Sequence, residues 1–300
     1  MKLAITGGTG FVGRHLITLA LAKKHEVRAL ARSPQSAIQG VEWIEGATDP
    51  ARNLDRLVEG VDAVIHVAGA INAPDRAAFA ACNIEGTVAM LAAAHNAGVT
   101  RFVHVSSLAA REPALSDYGW SKAEAERRVE SSGLDWTIVR PPAVYGPGDR
   151  EMLELFRMAA RGFMVVPPEG RVSVIEVGDL CRLLLACARQ EGLRKVYEID
   201  DGTARGLTHR ELALALGEAV GKRVSVVRAP GFLLRGASLV DSLVRGKKAR
   251  LTPDRVRYFC HPDWVARRSM APPVRLWKPK VTTIEGLRAT ANAYRAAGWL

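Results

Sequence analysis

Short apolar runs alternate with helix-like stretches over the first 140 residues of the chain. The runs predict six strands at Leu3–Ile5, Val27–Leu30, Val41–Ile44, Ala63–Val67, Phe102–Val105 and Trp136–Val139. Between them, apolar residues recur every three or four positions and predict helices near residues 11–23, 50–58, 76–97 and 118–131. This alternation predicts an α/β fold with a doubly wound parallel sheet, in which ligands bind at the carboxyl ends of the strands.

A glycine-rich turn, Thr6-Gly7-Gly8-Thr9-Gly10-Phe11-Val12-Gly13, joins the first strand to the first helix. Gly7 permits a tight turn, Gly10 lets a pyrophosphate approach the backbone, and Gly13 lets the helix pack closely on the sheet. The N–H groups at the helix N-terminus then point at phosphate oxygens. The pattern predicts a Rossmann-type dinucleotide site whose contacts from this turn are Gly7, Thr9, Gly10, Phe11, Val12 and Gly13.

The end of the second strand bears on the choice between NADP and NAD. An NAD-selective fold usually places an acidic residue here, whereas this chain has Arg32 and Ser33. A guanidinium group can bind a 2′-phosphate that a carboxylate would repel. We therefore predict NADP as the cofactor, with NAD as the alternative. Asp49 follows the third strand near the expected adenine, and the small residues Ala68 and Gly69 follow the fourth.

The candidate catalytic residues follow the fifth strand, which ends in Ser106-Ser107. Tyr118 and Lys122 lie four residues apart and therefore share one face of the next predicted helix. An ammonium group in that position is expected to lower the pKa of the phenol, and such a tyrosine can act as a general acid or base at a carbonyl or alcohol.

These features together resemble an extended short-chain dehydrogenase/reductase, of the NAD(P)-dependent epimerase/dehydratase group. The resemblance rests on the glycine turn and on Val67-Ala68-Gly69, Asn83, Ser106-Ser107, Tyr118 with Lys122, and Arg140-Pro141-Pro142-Ala143-Val144-Tyr145-Gly146-Pro147. It implies that Tyr118 is the proton donor or acceptor and that Lys122 binds the nicotinamide ribose. Ser107 would hold the substrate oxygen and Asn83 would support the hydrogen-bond network, while Ser106, Tyr118, Lys122, Pro141 and Val144 would contact the cofactor.

The resemblance also implies two domains. The dinucleotide-binding domain would span residues 1–144, with returning segments near residues 172–200. Residues 145–171 and 201–300 would form a smaller substrate-binding domain. A late strand is expected at Val196–Ile199, and an N-capped helix is expected to begin at Thr208.

Charge is concentrated in the last third of the chain. The protein has 300 residues and a net charge of +11, and residues 201–300 hold 19 Lys and Arg against 7 Asp and Glu. Such a region can attract an anionic membrane surface or an acidic partner, and no nucleic-acid module is recognised. The apolar segment Phe232–Val240 and the basic Lys247-Lys248-Ala249-Arg250 suggest a hydrophobic substrate, a surface-associated helix or a core-packed helix.

The leading hypothesis is an NADP-dependent oxidoreductase that reduces a carbonyl, or oxidises the alcohol, of a small substrate with a steroid-, flavonoid- or lipid-like apolar part. The alternatives are a nucleotide-sugar epimerase or dehydratase and a non-catalytic NADPH-binding scaffold or assembly subunit. No apolar run approaches the length of a membrane span, so a cytoplasmic protein is expected. The four cysteines lack metal-ligand spacing and no metal site is predicted. Both a monomer and a homodimer are compatible with the sequence.

Overall fold

The computed structural model describes residues 1–190, 193–245 and 253–300. The predicted basic element Lys247–Arg250 lies outside the described residues. The described chain divides into two compact units. The first comprises residues 1–141, 180–199 and 268–278, and the second comprises residues 142–179, 200–267 and 279–300.

The first unit is built on a seven-stranded sheet in which every neighbouring pair of strands is parallel. Its strands, in the order β13-β8-β7-β6-β1-β2-β3, are Lys195–Glu198, Asp135–Arg140, Arg101–Val105, Ala63–His66, Lys2–Thr6, Glu26–Ala31 and Val41–Glu45. The helices are α1 (Phe11–Ala22), α2 (Leu54–Val58), α3 (Arg76–Phe79), α4 (Gly86–Asn96), α5 (Asp117–Glu130) and α7 (Val177–Ala188, from Leu180 onward in this unit). The predicted doubly wound parallel sheet is confirmed, including all six predicted strands and the late strand at β13.

A hydrophobic core fills the space between one face of this sheet and its helices. Leu57, Val64, Met90, Phe102 and Ile138 are each almost completely buried in it. These residues come from three strands and two helices, so their burial fixes the register of the sheet against the helices.

One predicted boundary is wrong. The segment expected to begin a helix at residue 50 instead forms a short hairpin between β4 (Ala47–Thr48) and β5 (Ala51–Arg52). Asn53 follows in the left-handed conformation, with φ of 57°, and its side-chain amide donates to the Glu45 carbonyl at 2.6 Å. An amide side chain tolerates this conformation, so the helix starts only at Leu54.

The helical stretch Arg76–Asn96 matches the helix predicted near residues 76–97, but the expectation that no apolar run approaches the length of a membrane span was wrong for it. By length and composition it could cross a membrane, and half of its most apolar window is buried within the protein. Core helices of globular proteins meet the same criterion. Its middle section, Ala80–Glu85, is a π-helical turn between α3 and α4.

The second unit combines short strands with helices around its own core. Its strand pairs are β9 (Ala143–Tyr145) with β12 (Val174–Glu176), and β10 (Phe163–Val166) with β15 (Ser225–Arg228). A third sheet joins β14 (Leu207–Thr208), β11 (Arg171–Val172) and β16 (Asp263–Trp264). The helices are α6 (Leu153–Ala160), α8 (His209–Val220), α9 (Gly231–Arg245), α10 (Pro253–Phe259) and α11 (Thr283–Ala296). Thr208 caps α8 with a capping box, as predicted for that helix.

Candidate active site

The glycine turn has the close backbone approaches that its sequence predicts. Gly7 has φ of +69°, and a Cβ atom there would lie 2.8 Å from the backbone nitrogen of Ala68. A Cβ at Gly13 would collide with the Gly7 carbonyl, whereas one at Gly10 would meet only that oxygen, at 3.2 Å. Gly10 is the residue before α1, whose first N–H groups have no partner within the helix. The turn therefore presents free donors on an open face, which fits a dinucleotide pyrophosphate.

The end of β2 presents the cation of Arg32 to solvent. Arg32 is exposed, and its guanidinium has no hydrogen bond or ion pair with any residue in the described part of the chain. Ser33 beside it is also exposed. By contrast, the side chain of Arg28 donates to Glu42 at 2.6 Å and to two backbone carbonyls. Its guanidinium therefore stabilises the fold and is not available to a phosphate. Asp49 lies exposed in the turn between β4 and β5.

The serine pair at the end of β7 is divided between two environments. The Ser106 hydroxyl donates to the carboxylate of Glu126, and its backbone nitrogen donates to the Val139 carbonyl at 2.8 Å. Ser107 begins a short 3₁₀ turn and forms a side-chain hydrogen bond with Tyr118. The structure thus brings Ser107 and Tyr118 together. The hydroxyl of Ser106 is bonded to Glu126 instead.

Tyr118 lies in the first turn of α5, which Ser116 caps by accepting a hydrogen bond from the Gly119 nitrogen at 2.9 Å. Burial raises the pKa of its phenol above the ordinary value of 10.0, and the hydrogen bond with Ser107 opposes that shift. The predicted direction was therefore wrong. Desolvation of the phenolate is the largest influence on this pKa, and the ammonium of Lys122 is not among the groups that shift it.

Lys122 is buried one turn further along α5. Its Nζ donates to the Val105 carbonyl at 2.7 Å, at the end of the neighbouring strand β7. Burial lowers its pKa to about 8, with the carboxylate of Glu126 acting in the opposite direction. A Cβ at Gly69 would lie 3.6 Å from this Nζ and 3.0 Å from the Asn83 side-chain oxygen. Gly69 thus leaves space beside both predicted site residues.

Asn83 connects the strand ends to the catalytic helix. Its side-chain oxygen accepts from the Ala70 nitrogen at 2.7 Å, and its amide nitrogen donates to the Ala70 carbonyl at 3.0 Å. The same nitrogen donates to Ser121, whose hydroxyl donates to the Tyr118 carbonyl at 2.8 Å. Asn83 lies in the π-helical turn, a feature often found at functional sites. Asn83 therefore links the Ala70 backbone to the turn of α5 that carries Tyr118.

A buried hydrogen-bond chain extends from the glycine turn to Asn83. The Thr87 hydroxyl donates to the Asn83 carbonyl at 2.7 Å, so its oxygen must accept from Nε2 of His66, 3.2 Å away. Nδ1 of His66 is then the acceptor for the Thr6 hydroxyl at 2.8 Å. Burial lowers the pKa of His66 to about 3, which keeps this single tautomer neutral. The sequence analysis did not identify Thr6, His66 or Thr87 as members of the network.

A buried ionic network lies beneath Ser106 and was also not predicted. Arg140 donates to the two oxygens of Glu126 at 2.8 and 2.5 Å, and lies 3.5 Å from Glu198. Glu198 also pairs with Arg111 at 3.3 Å. The network joins β7, β8, β13 and α5 at the carboxyl end of the sheet. The available signal was the spacing of Glu126, which follows Lys122 by four residues and so faces the same way.

The remaining predicted cofactor contacts lie at four separate positions. Ala68 approaches Gly7 in the first unit, as described above, and Thr9, Phe11 and Val12 lie at the start of α1. Pro141 ends the first segment of the first unit, and Val144 lies in β9 of the second unit, paired with Ile175.

A basic cavity of about 260 Å³ lies within the second unit. Its lining includes Arg171, Arg210, Arg228 and His209, at the beginning of α8. Two of these arginines already bond to other groups of the protein. Arg228 pairs with Glu169 at 2.6 Å, and Arg171 donates to the backbone carbonyls of residues 205 and 206.

The parallel sheet, the glycine turn and the Ser107–Tyr118 pair define a Rossmann-type enzyme that binds a nicotinamide dinucleotide. A family model described as NAD(P)H-binding matches residues 7–181. The chain is 39% identical to a ceramide reductase of Caulobacter vibrioides, over 99% of this chain and 96% of the relative. It is 30% identical to a 2-alkyl-3-oxoalkanoate reductase of Stenotrophomonas maltophilia, over 96% and 98%.

Among solved structures, MoeE5 in complex with UDP-glucuronic acid and NAD shares the fold. Its TM-score is 0.75 at 23% identity, and the match covers 99% of both chains. The chain belongs to the extended short-chain dehydrogenase/reductase family, the NAD(P)-dependent epimerase/dehydratase group, and the family resemblance seen in its sequence is confirmed.

Proposed function

We propose that this enzyme uses NADPH to reduce a ketone on a lipid-like substrate with a long apolar part. The observation that carries the proposal is that half-buried Tyr118 bonds to Ser107 at the end of β7, one helical turn from buried Lys122, whose Nζ lies near Gly69. Two relatives that match nearly the whole chain are named as reductases, one of ceramide and one of a 3-oxoalkanoate. Their names support a reductive reaction and a substrate with an alkyl chain.

In the proposed reaction, NAD(P)H supplies a hydride to the carbonyl carbon when it is bound. The Tyr118 hydroxyl donates its proton to the carbonyl oxygen, so that the ketone becomes an alcohol. The raised pKa of Tyr118 keeps this hydroxyl protonated at neutral pH, which suits the donor role in reduction. Ser107 holds the same oxygen, and Asn83 fixes the turn of α5 that carries Tyr118 through Ser121.

The tyrosine proposal predicts that Tyr118→Phe loses at least about 100-fold in kcat, because general acid catalysis contributes about that much or more. The variant should bind NADPH with nearly unchanged affinity. Both quantities can be measured with a panel of long-chain ketones, by following NADPH absorbance and by titrating NADPH fluorescence.

Tyr197→Phe is the matched control, since it removes one hydroxyl from β13 of the same unit outside the site. Its kcat should equal that of the native enzyme. Turnover at the native rate in Tyr118→Phe would contradict the proposed donor. Activity absent from native enzyme and variant alike over the whole panel would favour the non-catalytic scaffold.

The preference for NADPH rests on Arg32. Its guanidinium is exposed and free in the described part of the chain, and a charge-assisted hydrogen bond to a phosphate contributes about 1.5–3 kcal/mol. Arg32→Asp should therefore raise KM for NADPH about 10- to 100-fold while leaving KM for NADH unchanged or lower. Steady-state kinetics with both cofactors measure this shift.

Arg161→Asp provides the control, because Arg161 is also exposed but belongs to the second unit. It makes the same change in net charge and should leave the ratio of the two KM values unaltered. An equal ratio in native enzyme and Arg32→Asp would reject Arg32 as the selecting residue.

A second candidate function, nucleotide-sugar epimerisation or dehydration, is favoured by the basic cavity in the second unit. Its Arg210 lies at the start of α8, where an anion is also attracted by the helix N-terminus. Arg171 and Arg228 are already bonded to groups of the chain itself, which makes them less available to a diphosphate and weakens the case for this function. Calorimetric binding of UDP, together with cofactor retained through purification, would rank this function above ketone reduction.

A further inference from the structure

Helix α9 exposes large apolar side chains instead of burying them. Phe232, Leu233 and Leu239 are 71%, 56% and 58% exposed, while Ser238 is almost fully buried. Phe232 and Leu239 are seven residues apart and therefore lie on the same face of the helix. Burying apolar side chains of this size is favourable, so three exposed on one short helix mark an interaction surface.

The neighbouring elements extend this character. Phe259 at the end of α10, which packs against α9, is 48% exposed. The strands β10 and β15, which precede α9 along the chain, add Phe163, Val165 and Val227, each at least 40% exposed. We call Phe232, Leu233, Leu239 and Phe259 the α9 face.

The charge of the same segment indicates what covers the α9 face. Residues 222–257 contain ten Lys and Arg against two Asp and Glu. Arg235 and the pair Lys222 and Arg223 are exposed. A helix that exposes large apolar side chains in a segment rich in Lys and Arg matches an anionic lipid surface. The apolar side chains enter the boundary of the acyl chains, while the cations stay among the head groups.

We propose that the α9 face docks this enzyme onto the surface of an anionic lipid bilayer. A second copy of the chain fits less well, because two such segments would bring their excess positive charge together. The inference concerns where the enzyme binds, so it does not depend on which ketone is reduced.

Vesicle flotation of the purified full-length protein tests this proposal. The protein should float with vesicles of phosphatidylglycerol and phosphatidylcholine, remain behind with phosphatidylcholine alone, and dissociate as salt is raised. The double variant Phe232→Ser, Leu233→Ser should bind the anionic vesicles at least about tenfold more weakly. Arg235→Glu should also weaken binding.

Val274→Ser is the matched control, because Val274 is 77% exposed but belongs to the first unit. It should bind as the native protein does. Circular dichroism should show that all variants fold, since the replaced side chains are exposed. The proposal is overturned if the native protein ignores anionic vesicles, or if the double variant binds them equally well. It is also overturned if sedimentation shows that this pair of residues mediates self-association instead.

Because flotation measures binding without turnover, its result separates this proposal from the reductase assignment. Loss of vesicle binding with normal ketone reduction in a detergent-solubilised assay would reject only the docking surface. Normal vesicle binding without any ketone reduction would reject only the proposed reaction.

Discussion

Lys122 carries a positive charge into the protein at neutral pH. Lowering its pKa from 10.5 to about 8 corresponds to roughly 3 kcal/mol of unfavourable burial. Since the unfolded chain binds this proton more tightly, stability gains from this group as pH rises from about 8 to 10.5. Lys122→Met should therefore unfold at higher urea concentration than the native enzyme at pH 7, although it loses activity.

The advantage of the variant should shrink as pH approaches 10. Urea unfolding of both proteins at pH 7 and pH 10 measures the difference in free energy of unfolding. The variant also loses the hydrogen bond to the Val105 carbonyl, which offsets about 1 kcal/mol of the gain. An advantage of constant size at both pH values would mean that Lys122 is not buried as an ammonium ion.

At the residue scale, sequence spacing located the candidate chemistry but not its electrostatics. Tyr118 and Lys122 could be paired from their four-residue spacing, and Ser107 from its position after a strand. The shift of the Tyr118 pKa could not be predicted, because it depends on how much water the fold removes. The pairing of Glu198 with Arg111 and Arg140 depends on contacts between residues far apart in sequence.

At the element scale, the geometry of the turn before α1 leads us to expect different effects from alanine substitution at two of its glycines. Gly13→Ala places a methyl group against the Gly7 backbone, and overpacking of this kind costs about 1–3 kcal/mol. Gly10→Ala meets only one oxygen, and its φ of −79° suits alanine. We expect Gly13→Ala to lower the melting temperature, and Gly10→Ala to leave it nearly unchanged while weakening NADPH binding.

The two variants are controls for each other in thermal melts without cofactor and in NADPH titrations. Equal melting temperatures for both would contradict the packing role of Gly13. Native NADPH affinity in Gly10→Ala would mean that the dinucleotide does not approach the turn closely at that residue.

The strands were predictable because each is a short apolar run with Gly, Ser or Pro within three residues of its end. The helices were less so. The start of α2 was missed because Asn53 adopts a left-handed conformation that propensity alone does not reveal. The π-helical turn at Ala80–Glu85 was missed because one helical periodicity fits its flanks on both sides. Asn83 was therefore identified from the family resemblance, without its geometry.

At the scale of the whole molecule, composition indicated an uneven distribution of charge, and the structure relates it to exposed surface. The segment containing α9 combines exposed apolar residues with the excess of Lys and Arg. Amphipathic periodicity alone could not distinguish this helix from a core helix, because both show the same spacing of apolar residues. The exposure of Phe232 and Leu233 shows that α9 does not bury these side chains in the core.

The position of β13 in the sheet has a consequence for biosynthesis. It supplies the edge strand next to β8, yet about 55 residues of chain separate the two. On the ribosome, β8 therefore emerges with an unpaired edge while residues 141–194 are still being made. Glu198, which pairs with both Arg111 and Arg140, is the last residue of this strand and is made with it, whereas the other partner of Arg140, Glu126, is made before β8. We therefore expect the nascent enzyme to be exposed to edge-to-edge aggregation at least until β13, about two thirds of the way along the chain, has been made.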